Sequence, residues 1–237
     1  MLLLAITFIA SLAHIDKYYI PAGSMKPTLL VGDYLIADRY AYGLYCGWPC
    51  GGKKIWTNPP KRGDVVVFRH PVLEEDFIKR LIGMPGDKIQ IKNGVLHING
   101  QAVKTEPAGA FTETYERQGF SGNYPLCANN PAIGETCIKT LKTETLPNGV
   151  SYDMLDIGDY SQDNTGVYTV PEGHYFFLGD NRDNSIDSRF HANTGGIGFV
   201  PEENLIARAD MVVFSSSGLS LLSFWAWRKG RYQKAIK

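Results

Sequence analysis

The sequence predicts a mostly β protein, on three observations. The chain of 237 residues is 44% hydrophobic, and its 13 Tyr together with many Val and Ile lean toward strands. Apolar runs of strand length recur from Val31 to Phe214, bounded by Gly, Pro, Asn and Asp. An Asn-Gly dipeptide at 93–94 sits between two of those runs, which is the sequence of a tight hairpin. That much apolar material can bury a core and excludes general disorder, and the length suits one large domain or a core domain with an insertion.

Taken in order, Asp64–Phe68 is a short apolar run after the breaker Arg62-Gly63. Asp76–Ile82 follows and ends at Met84-Pro85-Gly86-Asp87, where Pro-Gly fits the centre of a type II turn. Lys88–Lys92 and Val95–Ile98 form the hairpin around Asn93-Gly94, and a second Asn-Gly at 99–100 turns the chain again. From about 100 to 170 Thr, Glu, Asn, Gly and Pro are frequent and apolar periodicity is weak, which reads as an accessory insertion of short strands and loops. The apolar pattern returns at His174–Leu178, Leu205-Ile206 and Met211–Phe214, so the core is split around the insertion.

Both ends point to a membrane. Met1–Ala13 is apolar and uncharged but, at about 1.5 Å per residue, shorter than a hydrocarbon core of about 30 Å. It reads as a cleaved signal peptide without a basic n-region, or as an anchor that is incomplete or inserts partway. The anchor is preferred because the other end is also membrane-directed. There Leu219, Leu221, Leu222, Phe224, Trp225 and Trp227 precede Arg228, Lys229, Arg231, Lys234 and Lys237, with no acid among them. Indoles followed by cations suit an anionic headgroup layer, although an amphipathic helix packed on the domain has the same composition.

The four cysteines, Cys46, Cys50, Cys127 and Cys137, lack zinc or thioredoxin spacing. The two near pairs can close small loops as disulfides outside the cytoplasm, or stand as free thiols. With 24 basic and 24 acidic side chains the formal charge is zero, which argues against a nucleic-acid partner. No metal or other cofactor signal stands out, since the acids at 180, 183 and 187 do not match a calcium loop.

Three segments carry candidate chemistry. Ser24 lies in Ile20–Leu29 between Pro21 and Pro27, a presentation that suits an exposed nucleophile and also an ordinary loop. A serine needs a base. The histidines at 14, 70, 97, 174 and 191 are scattered, so a Ser-His-Asp arrangement stays open but unsupported. Lys79 is sharper: in an alternating strand it shares a face with Phe77 and Leu81, while Arg80 shares the other with Ile78 and Ile82. At least one of the two cations then lies against apolar surface, and burial would lower a lysine's pKa; the alternative is a lysine snorkelling along an edge strand. The third segment, Gly179–Arg189, is a dense polar run in which Asp187 can pair with Arg189.

Together these segments resemble bacterial type I signal peptidases, the leader peptidases of the Ser-Lys class. The nucleophile segment is similar to Ile20–Leu29, the next strand to Lys61–Pro71, the lysine segment to Asp76–Asp87 and the last block to Gly179–Arg189, all in the family's order. The resemblance implies a membrane-anchored antiparallel β-sheet catalytic domain with an inserted smaller β-rich accessory region. It divides the chain into an anchor (1–16), a catalytic β-domain in two parts (17–99 and 171–217), the insertion (100–170) and a basic aromatic tail (218–237). It further implies a serine endopeptidase removing signal peptides from secretory preproteins after small residues, at the bacterial inner membrane with the catalytic domain on the periplasmic side. Ser24 is then the nucleophile and Lys79 the general base, Ser185 orients the lysine amine, Asp187 and Arg189 buttress the loop, and Ile20 and Ile78 line pockets for alanine-like residues. No cofactor is implied.

Three features depart from the family's pattern. Many members carry a serine two residues before the nucleophile as an oxyanion donor, where this chain has Ala22. The N-terminal apolar run is short, and Phe190–Gly198 is an extended link whose glycines suggest a mobile loop. Two other readings remain: a conjugation-specific pilin-processing peptidase, which the long insertion and complete final block disfavour, and a non-catalytic membrane-tethered assembly module.

Overall fold

A computed structural model describes residues 15–45, 54–217 and 224–236. The main sheet runs in the order Ile15–Tyr19, Asp33–Asp38, Leu205–Ser215, Val65–Arg69, Asp76–Gly83, His174–Leu178, Val200–Pro201, with Lys234–Ala235 also paired to Leu205–Ser215. Its pairings are antiparallel. The protein is therefore mostly β, as the apolar runs require. Val65–Phe68 is apolar at every position because the strand is central and buried on both faces. Its neighbour Asp76–Gly83 lies in register with it, Val66 opposite Lys79 and Val65 opposite Arg80.

The predicted turns form. Asn93 and Gly94 both take positive φ (49° and 74°), and Lys92 faces Val95 across the hairpin. The Asp87 N–H donates to the Met84 carbonyl at 3.0 Å around Pro85-Gly86.

Residues 100–170 hold longer strands than their composition suggests. Lys104–Thr114 and Thr136–Thr145 pair over 11 and 10 residues, and Ser151–Asp156 completes a three-stranded sheet. Lys104–Thr114 is mostly exposed, so no apolar alternation announces it. The segment also feeds the core, because Val103, Leu146, Tyr152, Met154 and Val170 pack with Ile82, Ile89, Leu96 and Phe176. A second apolar cluster, containing Ile20, Met25, Leu29, Val65, Val67 and Ala207, lies under the Ile20–Leu29 turn.

Cys127 and Cys137 form a disulfide, Cα to Cα 5.3 Å; Cys46 and Cys50 lie outside the described residues. The Met1–Ala13 run also lies outside them. Among the described residues no helix is long and apolar enough to cross a membrane.

The tail differs from expectation in its cations. Arg231 is buried, its guanidinium paired with Asp33 and donating to the Thr28 carbonyl, and Arg228 donates to the Val31 carbonyl and Ser215 Oγ. These two arginines satisfy groups of the domain itself, so they are not available to headgroups. Phe224, Trp225, Trp227 and Tyr232 remain exposed.

The Phe190–Gly198 link is tied to the domain at several points. Gly196 and Gly198 donate to the His191 and Phe190 carbonyls, Ile197 is fully buried, and the His70 ring contacts the Gly196 carbonyl at 2.8 Å. Gly196 packs closely against Phe190, while Gly195 and Gly198 take positive φ.

Candidate active site

The Ile20–Leu29 segment winds into turns, with Lys26 N–H donating to the Gly23 carbonyl and Leu29 N–H to the Met25 carbonyl. Met25 and Leu29 plug into the core and leave Ser24 half-buried at the surface of a cavity of about 840 Å³. Asn181 fastens this turn from outside. Its backbone N–H donates to the Ser24 carbonyl at 3.0 Å and its side-chain amide to the Gly23 carbonyl at 2.9 Å. The Ser24 N–H meets no acceptor among the described residues.

Lys79 reaches Ser24 from the Asp76–Gly83 strand, with Nζ 2.8 Å from Ser24 Oγ and 3.1 Å from the Ile78 carbonyl. The alternation argument required at least one buried cation, and the strand buries both, Lys79 at 4% exposure and Arg80 at 0%. Their surroundings differ. Arg80 forms a two-point pair with Asp180 (2.8 and 2.7 Å), while no carboxylate pairs with Lys79 among the described residues. Burial consequently pushes the Lys79 amine down to about 8, against the opposing pull of Asp187 and Asp180. An amine in that range is a usable base near neutral pH.

The Gly179–Arg189 run packs behind the pair. Asp187 and Arg189 are buried and bonded at two points (2.9 and 3.0 Å), Asp187 accepts the Gly179 N–H, and Arg189 reaches the Arg182 carbonyl. Ser185 lines the cavity with its Oγ buried and without a hydrogen-bond partner. Gly179 is obligatory, because a Cβ there would lie 2.2 Å from Ser185 Oγ and 2.6 Å from the Ser24 carbonyl oxygen.

Ile20, Ala22, Ser24, Ile78, Lys79 and Ser185 thus line one cavity, with Asp187 and Arg189 behind it. The opposite wall includes Gln118, Asn123 and Tyr124, on the loop whose return strand carries the Cys127–Cys137 bond. Along the floor, the Asp76–Lys79 half of its strand pairs with Val65–Arg69 on one side only. None of the described histidines lines the cavity, and both ring nitrogens of His70 contact backbone groups.

Several participants escape a reading of the sequence. Thr28 donates to Asp180 at 2.5 Å, joining the nucleophile turn to the Arg80 pair, and Arg182 pairs with a fully buried Glu144 at 2.8 Å. The density of polar residues around Asp180 was the available signal. Lys26 gave none; it is buried beside the turn, bonded to Glu113 and Gln118.

Comparison with known proteins identifies the family. Residues 1–214 match the family model described as signal peptidase, peptidase S26. Signal peptidase I of Rickettsia typhi (strain ATCC VR-144 / Wilmington) is 39% identical over 230 residues, covering 90% of this chain and 77% of that protein. Signal peptidase I of Rickettsia canadensis (strain McKiel) is 40% identical over 218 residues, covering 85% and 72%. A crystal structure of a signal peptidase I from Enterococcus faecalis V583 aligns with 27% identity and a TM-score of 0.33, over 64% of this chain and 97% of that one. The chain belongs to the signal peptidase family, peptidase S26, and is a serine endopeptidase.

Proposed function

We propose that this chain removes N-terminal signal peptides from secretory preproteins by a Ser24–Lys79 dyad, working against the periplasmic face of a bacterial inner membrane. The observation that carries the reading is the 2.8 Å contact between Ser24 Oγ and a buried lysine amine brought down to about 8.

Neutral Lys79 takes the Ser24 proton as Oγ attacks the scissile carbonyl, and the carbonyl oxygen becomes an oxyanion beside the Ser24 N–H. The Lys79 ammonium then gives its proton to the leaving amine as the C–N bond breaks. Water, deprotonated by Lys79, attacks the acyl-serine; the carboxylate product leaves and Ser24 regains its proton. Desolvation favours this cycle, because it makes each return to the neutral amine easier.

An extended substrate has backbone partners along the one-sided Asp76–Lys79 half-strand. Ile20 and Ile78 in the cavity wall suit small side chains one and three places before the cut. Ser185, in the wall of the same cavity, orients the Lys79 amine during the cycle, and the buried Asp187–Arg189 pair supports that role by keeping its loop closed. The exposed Phe224, Trp225, Trp227 and Tyr232 support contact with a lipid bilayer.

The test is cleavage of a model secretory preprotein by the detergent-solubilised chain, Ser24→Ala and Lys79→Ala, with sequencing of the new N-terminus. Cleavage after an Ala-x-Ala-like site by the unsubstituted chain alone is expected. Equal activity in all three would remove the dyad.

A further inference from the structure

Next to the nucleophile turn lies a charge cluster that the dyad does not use. Lys26 Nζ bonds Glu113 and, at 2.7 Å, Gln118 Oε1; Lys139 Nζ reaches the other Glu113 oxygen at 2.7 Å; Gln118 Nε2 donates to Glu113 at 2.7 Å. Lys26 is 3% exposed and Lys139 0%. The two lysines hold the Glu113 carboxyl below the usual carboxylate range, while burial brings the Lys26 amine itself down to about 8, so the cluster carries an excess positive charge only below that pH.

Docking the accessory sheet on the turn would need only one lysine for one carboxylate. A second buried ammonium on one carboxylate is costly. Lys26 borders the cavity. A Cβ built on Gly23 would lie 3.2 Å from Lys26 Cε and 3.7 Å from its Nζ, so the ammonium flanks the peptide units of residues 22–24 that present the Ser24 N–H. Ala22, on the same rim, has no side-chain donor to offer an oxyanion.

We propose that Lys26, held by Glu113 and backed by Lys139, is a positioning residue whose positive field stabilises the oxyanion that Ala22 cannot reach. The proposal rests on Ser24 being the nucleophile. Lys26 works from behind the turn: the oxyanion's direct donor is the Ser24 N–H, and the field of the excess charge strengthens that single bond.

The test compares kcat and KM for preprotein cleavage by the full chain, Lys26→Met, Lys139→Met and Lys26→Arg, each with Ala22 or Ala22→Ser, alongside melting temperatures. Lys26→Met should lower kcat about tenfold or more with KM within about twofold, and Lys26→Arg should retain most activity. Adding Ala22→Ser should raise kcat by a much larger factor in Lys26→Met than in the unsubstituted chain, because a hydroxyl donor then takes over. Lys139→Met leaves the Lys26–Glu113 tie and the cavity lining intact. It should lower kcat severalfold with the same rescue, and it decides the question if Lys26→Met does not fold. An unchanged kcat in the Met variants, or an Ala22→Ser effect of equal factor in every background, would overturn the field role and leave only a sheet-docking tie. Activity surviving in Ser24→Ala would instead remove the nucleophile reading beneath it.

Discussion

Replacing Lys79 with methionine should make the protein less active and, at neutral pH, relieve an electrostatic penalty. The amine titrates near 10.5 when the chain is unfolded and about 8 when buried. At about 1.4 kcal/mol per pH unit, the folded state carries a penalty of about 3 kcal/mol at pH 7 for holding the charged form. The folded value lies below the unfolded one, so the unfolded chain binds more protons between them. The penalty is fully present below pH 8, shrinks as pH rises, and is gone above about 10.5. Methionine has similar length and no charge, and its loss of the contacts to Ser24 and the Ile78 carbonyl is independent of pH. The stability difference between Lys79→Met and the parent chain should therefore fall by about 2 kcal/mol from pH 7 to pH 10. Urea unfolding of both chains at several pH values, with ionisations common to both cancelling in the difference, measures it. A flat difference would refute the argument that burial, rather than the serine contact, sets the state of this amine.

The same amine predicts that kcat/KM climbs about tenfold per pH unit below pH 8 as the neutral base accumulates, and the buried Lys26, also brought down to about 8, predicts a decline above it; a profile flat from pH 6 to 9 would contradict it. Arg80→Met leaves Asp180 buried without its guanidinium and should cost about 3–5 kcal/mol, read by chemical denaturation, whereas a loss under 1 kcal/mol would show the pair to be dispensable. Gly179→Ala drives a methyl against Ser185 and the Ser24 carbonyl, so it should destabilise by about 1–3 kcal/mol and reduce cleavage sharply, and normal kinetics in that variant would mean the loop has room to yield.

The hairpin at Asn93-Gly94, the buried run Val65–Phe68 and the burial of Lys79 and Arg80 were legible because each rests on local chemistry: a turn that needs positive φ, a strand covered on both faces, cations alternating with apolar residues; the meeting of Ser24 with Lys79 was signalled by the family resemblance alone. The long Lys104–Thr114 strand was not, since a strand exposed along most of its length carries no periodic signal. Lys26 was illegible for a related reason. A lysine beside a proline reads as solvated, and its burial is decided by Glu113, 87 residues away. Arg231 misled in the same manner, as a cation in a basic tail whose partner Asp33 lies 198 positions earlier. Long-range pairing of charges leaves no trace in spacing.

Lys79 and Arg80 are neighbours on one strand, and every cost of misplacing them falls on the same register. If Asp76–Gly83 slipped by a single residue against Val65–Arg69, each side chain would change faces. Arg80 would forfeit its two-point pair with Asp180, and the amine would turn away from Ser24. The ion pair thus acts as a key cut for one alignment, and the chain cannot settle its sheet without also aiming the Lys79 amine at Ser24. Their meeting is in that sense a by-product of strand alignment.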